Sequence, residues 1–180
     1  MRRTALIILS ALVLLPATAF ASWHHWHNWH HGHEDRRTFP VTAALPDPSR
    51  TPGALNPAVT QRDIYSTICV RGWTRTVRPP ESYTERLKRE QIRRYGYRDR
   101  WLRDYEEDHL VPLELGGSPA SPRNLWPEPH HVAGGWGSYR KDRLENRLNH
   151  LVCRGRITLA VARRAIARNW MAAYRRFMHR

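Results

Sequence analysis

Asp108 and His109 stand side by side, Gly116-Gly117 follow a few residues on, and Asn124-Leu125 come after residues 110–123. These types suit the hydrolysis of a phosphodiester. Such a reaction needs a base near neutral pH, and imidazole is the side chain whose ordinary pKa lies there. It also needs a cation to meet the charge that develops on the phosphate. An Asp and an Asn offer hard oxygen donors to Mg²⁺ while leaving positions open for phosphate and water. An Asp-His pair alone is usually a solvated surface pair; joined to Gly-Gly and Asn-Leu in this order and spacing, it is a specific pattern.

The elements that must position these groups can be read around them. Asp108-His109 end a short strand-like run, Gly116-Gly117 turn the chain, Asn124-Leu125-Trp126 open a second run, and a helix begins at Tyr139. Antiparallel pairing of the two runs would bring Asp108, His109 and Asn124 together.

This order of strand, loop, strand and helix resembles the HNH (His-Asn-His) endonucleases, whose ββα-metal finger carries a D-H…GG…N-L pattern, and within them a group of exported bacterial proteins. The resemblance implies a nuclease in which Asp108 and Asn124 are metal ligands and His109 is the base. It also implies a divalent cofactor, Mg²⁺ first, with Mn²⁺ or Zn²⁺ as alternatives. The nuclease core spans roughly residues 105–148, and the similarity to the exported group runs from about Pro57 to Phe177, including the TICV and KDRLE stretches. One position departs from the pattern. The third histidine of the family normally begins the helix, but here that helix opens Ser138-Tyr139-Arg140-Lys141-Asp142. His130 and His131 from a loop, or Asp142 from the helix, are the candidates for a third ligand, and the wider family includes two-ligand sites. Exposed loop residues are the plainer reading of the two histidines, and Lys141 or Arg140 could instead contact the phosphate.

The rest of the chain must supply a scaffold and a surface. At 180 residues and 21.2 kDa it has room for one ordinary domain, which excludes a multidomain enzyme. Thirty basic residues against 16 acidic ones give a net charge of +14, a composition that seeks polyanions. All but Lys88 and Lys141 are arginines, the side chain whose planar fork grips phosphate; arginine-favouring codons of a GC-rich genome would give the same bias. With 41% hydrophobic residues and 8 Trp, the chain can bury a core.

Residues 1–21 read as a secretory signal peptide: Arg2 and Arg3, an apolar run from Ala5 to Leu15, then Ala19-Phe20-Ala21. Residues 22–57 read as a disordered segment. Ser22 to Glu34 (SWHHWHNWHHGHE) is His- and Trp-rich without periodicity, and Asp35 to Pro57 is a proline-rich linker. The folded HNH-like domain is expected over residues 58–180. In it, Ile64 to Val77 reads as a hairpin or extended pair, and Glu85 to Tyr95 as a helix capped by Ser82 or Thr84, with Lys88, Arg89, Arg93 and Arg94 outward. Tyr139 to Cys153 reads as a helix with Leu144, Leu148 and Leu151 inward. A last helix after Thr158 has a core stripe from Leu159 to Phe177 and a basic ridge of Arg163, Arg164, Arg168, Arg175 and Arg176. Cys69 and Cys153, an even count in an exported chain, read as a disulfide.

The expected fold class is therefore α+β, a small ββα-metal finger braced by flanking helices. The expected function is an exported, periplasmic or secreted, metal-dependent nonspecific endonuclease acting on DNA, with RNA as a second substrate. Its partner is nucleic acid held by the arginine-rich surface, without stable membrane association once the signal is removed; no immunity partner is identified. The alternatives are an inactive nucleic-acid-binding protein of the same fold and a periplasmic metal-binding protein whose working part is the His-rich segment.

Overall fold

A computed structural model of the chain describes residues 38–178. The expected signal peptide and the His-rich segment lie outside the described residues. The remainder is α+β, with four helices and one two-stranded antiparallel sheet. In chain order the elements are α1 (Trp73–Val77), α2 (Glu81–Arg94), β1 (Tyr105–His109), β2 (Leu125–Pro129), α3 (Ser138–Cys153) and α4 (Leu159–Met178). Among the described residues no helix is long and apolar enough to cross a membrane.

The hairpin forms where expected, with Asp108 opposite Trp126 and His109 opposite Leu125. Behind it α3 packs on α4. Helical periodicity puts Leu144, Leu148 and Val152 on one face of α3, with Val152 fully buried in place of the expected Leu151, which is only partly so, and Leu159, Ala162, Ile166, Trp170, Ala173 and Phe177 buried on one face of α4. α2 lies against both strands. It starts earlier than Ser82 or Thr84 would place it, because Pro80, which has no N–H to satisfy, stands at its N-cap.

Three expectations change. Residues 38–57 are no linker: they form a strap on the domain. Phe39 pairs its backbone with His131 and Ala133, Ala44 is fully buried, and Trp170 Nε1 donates to the Ala44 carbonyl at 2.5 Å. Proline richness here fixes an irregular path, which costs little entropy to order. Ile64–Val77 is not extended either. It forms a 3-10 turn over Ile64–Ser66, bends at Gly72 (φ 84°) and continues as α1; its β-branched residues serve the core rather than a sheet, with Ile64 and Ile68 buried. Finally, Lys88 and Arg163 are not solvent-facing. Lys88 is 8% exposed and donates to the Tyr105 carbonyl, while half-buried Arg163 donates to the carbonyls of Leu115, Val59 and Gly116.

The Cys69–Cys153 disulfide is present, its Cα atoms 5.7 Å apart, and joins the segment before α1 to the end of α3 across 84 residues of sequence. Loop-closure entropy for a bridge of this span is worth about 4.6 kcal/mol. Reduction should accordingly lower the denaturant midpoint by the equivalent of several kcal/mol, and titration of the unreduced protein should find no free thiol; two titratable thiols would exclude the bridge.

Candidate active site

The connection between the strands is long for a hairpin, and Asn124 closes it. Its Oδ1 accepts from the Val111 N–H at 2.9 Å, and its Nδ2 donates to the carbonyls of Val111 (2.9 Å) and Ser118 (3.0 Å). The side chain is fully buried. Gly117 is required by the same closure, since a Cβ there would lie 1.7 Å from the Val111 carbonyl oxygen and 2.7 Å from Asn124 Nδ2. Asn124 is thus near Asp108 and His109 along the backbone, but its amide is turned into the loop. The expected metal-ligand role of Asn124 does not match this geometry: the amide serves as a backbone clamp.

His109 is 5% exposed, and its Nε2 lies 2.8 Å from the Pro119 carbonyl oxygen. A carbonyl only accepts, so Nε2 carries the proton and Nδ1 is left as the ring's acceptor. Burial pulls the imidazole below its ordinary pKa, outweighing the opposing effects of the Pro119 bond and Asp108. His109 is therefore a neutral base at neutral pH.

Asp108 and His109 line a polar pocket of about 300 Å³ together with Glu106, Glu114, Asp142 and Glu145; among the described residues Arg78 is the one cationic side chain on its wall. Burial raises Glu106 and Glu114 to about 7, with the charge of Asp108 the next cause at Glu106, and it raises Glu145 to about 8. It raises Asp142 as well, again with Asp108 as the next cause. Asp108 behaves differently. Burial would raise its carboxyl, but the Lys141 ammonium and a hydrogen bond from Glu128 hold it below the usual carboxylate range. Lys141 ion-pairs with Asp108 and with Glu145, and donates to the His109 carbonyl at 2.8 Å. Buried Glu128, raised well above the ordinary value by burial, is a neutral acid able to donate to Asp108.

His130 and His131 are elsewhere. They line a second pocket before α3, where His130 Nδ1 lies 2.8 Å from Ser138 Oγ and its ring stacks on Tyr139 at 5.3 Å. Of the three candidates for a third ligand, Asp142 alone shares the pocket of Asp108 and His109. Arg140 leans over Trp136, 4.5 Å from the ring centroid, rather than into that pocket. The carboxylates are the hard donors a Mg²⁺ ion would take. As placed, however, Asp108 is held by Lys141 and Asn124 by the loop, and among the described residues no three His, Cys, Asp or Glu side chains are gathered to hold an ion.

The sequence reading missed the ion-pair role of Lys141 and the contributions of Glu106, Glu114, Glu128, Glu145 and Arg78. One signal was present: Lys141 lies on the stripe of Leu144, Leu148 and Val152, so helical spacing aims it inward. No family model, curated protein or solved structure matches the chain.

If Asn124 is the clamp, Asn124→Ala strands three buried backbone groups and should cost about 3 kcal/mol or more. Asn124→Asp, which cannot donate twice, should cost a comparable amount. Thermal melts in chelator and in Mg²⁺ would check this; a stable Asn124→Asp protein that gains stability from Mg²⁺ would restore the ligand role.

Proposed function

We propose that the protein hydrolyses phosphodiester bonds of nucleic acid, as an exported HNH-like endonuclease without base specificity, with His109 as its general base. The observation that carries this reading is the Pro119 bond that fixes the imidazole tautomer and leaves Nδ1 as the acceptor of a neutral His109, a residue that lines a polar pocket. In the proposed reaction Nδ1 takes a proton from water, the resulting hydroxide attacks phosphorus, and the P–O bond to the leaving oxygen breaks. The leaving oxygen gains a proton from solvent, and the imidazolium returns its own. Arg78 on the pocket wall offers a guanidinium to the phosphate.

Exposed arginines support nucleic acid as the substrate class. Arg86, Arg89, Arg93 and Arg94 on α2 and Arg164, Arg168, Arg175 and Arg176 on α4 all face solvent, as phosphate-backbone contacts would require. The disulfide is compatible with the proposed export. A second reading, nucleic-acid binding without cleavage, is favoured by the commitment of both Asp108 and Asn124 to structural contacts.

Two titrations should bound the rate. His109 must be neutral, and its lowered pKa keeps it so to below the ordinary imidazole range. Phosphate entry should be easiest while Glu106 and Glu114 are protonated, which their values of about 7 allow only below neutrality. Cleavage of supercoiled plasmid is thus expected to peak on the acid side of pH 7. His109→Ala should slow it roughly 10²- to 10⁴-fold without altering DNA retention; because it also strands the Pro119 carbonyl and lowers the melting midpoint, the rates are compared well below both midpoints. A parent protein that retains DNA but never nicks it, with or without divalent ions, would replace this reading with the binding one.

A further inference from the structure

The chain has two lysines among 30 basic residues, and both are buried. Lys141 is the more extreme, at 0% exposure. Its ammonium has three protons, and three acceptors take them: Asp108 Oδ2, Glu145 Oε1 and the His109 carbonyl oxygen. Glu128 Oε2 stands 4.0 Å away as a further oxygen. The shell is therefore drawn from β1, β2 and α3 and consists of hard oxygens, three of them from carboxyl groups. That is the donor chemistry a Mg²⁺ or Ca²⁺ ion would select. A guanidinium is planar and needs a fork of acceptors, whereas an ammonium is a compact point charge able to sit inside such a shell.

We infer that Lys141 is a resident cation standing in place of a divalent ion, so that the Asp108 centre takes no metal and is held together by the protein's own ammonium. Lys141 is a positioning residue: through the His109 carbonyl it fixes the backbone of the proposed base, and through Asp108 it ties β1 to α3. With all three protons placed, the ammonium has none left for a phosphate, so it does not bind substrate. The inference goes beyond the hydrolase reading and can fail separately from it, because it concerns ion binding and stability rather than cleavage.

The test compares thermal midpoints of the full-length protein in EDTA with those in Mg²⁺ or Ca²⁺ at matched ionic strength. These hard ions have little affinity for imidazole, so the His-rich segment does not interfere. The parent midpoint should be the same in both media. Lys141→Ala, which empties the oxygen shell, should melt several degrees lower in EDTA and recover when Ca²⁺ or Mg²⁺ is added, since an ion bound to the native state alone stabilises it. A parent midpoint raised by either ion, with the rise abolished by Asp108→Asn, would overturn the inference, as would a folded Lys141→Ala protein indifferent to both ions. Should Lys141→Ala fail to fold, Asp108→Asn in EDTA decides. Stripping a partner from a buried ammonium lowers the midpoint, whereas relieving repulsion in an empty metal site raises it, and a raised midpoint would reject the resident cation.

Discussion

A buried two-stranded sheet has no third strand to take its outward backbone groups, and in this protein side chains take them instead. Gln91 Nε2 donates to the Leu125 carbonyl at 2.9 Å and Lys88 to that of Tyr105 at 3.2 Å. Lys141 reaches the His109 carbonyl, Asn124 spans the loop to Val111 and Ser118, Asn149 Nδ2 donates to the Glu114 carbonyl at 2.8 Å, and Arg163 takes those of Leu115 and Gly116. α2, α3 and α4 thus each contribute at least one long polar side chain to the backbone of the hairpin or its loop. The requirement explains why polar residues lie on otherwise apolar helix stripes, and why the loop that follows the proposed base is held from several sides.

Charge is distributed against the average. A chain of net charge +14 keeps its arginines largely outside and gathers carboxylates around His109. An isolated buried carboxylate is costly, and proteins meet that cost by protonation or by pairing. Both occur here within one cluster: Glu128 is neutral, whereas Asp108 is ionised against Lys141. The result is a neutral imidazole beside an anchored carboxylate, with an acid reserve whose charge changes near neutrality inside a basic exterior.

Periodicity made much of this legible in advance. The stripes of α3 and α4, the hairpin order around Gly116-Gly117 and the cysteine pair are repetitive or categorical signals, and the structure contains all of them. What sequence could not convey was orientation. Asn124 has the donor types of a ligand and those of a clamp, and only the positions of Val111 and Ser118 distinguish the two. Ile64–Val77 has strand composition, but the φ of 84° at Gly72 and the tether at Cys69 bend it into a turn and a short helix. Lys88 and Arg163 were assigned to the surface because charge ordinarily implies exposure, a rule that fails where buried carbonyls need donors.

The strap from Phe39 onward has a kinetic consequence. Ala44 finds its partner in Trp170, 126 residues later; Gln61 Oε1 accepts from the Leu159 N–H at 2.7 Å across 98 residues, and Val59 meets Arg163 across 104. The first described part of the chain is stitched to the last helix, so the unit closes only when its C-terminal end has emerged. A chain wired in this way acquires its compact state late and all at once, and it stays threadable for as long as α4 is missing.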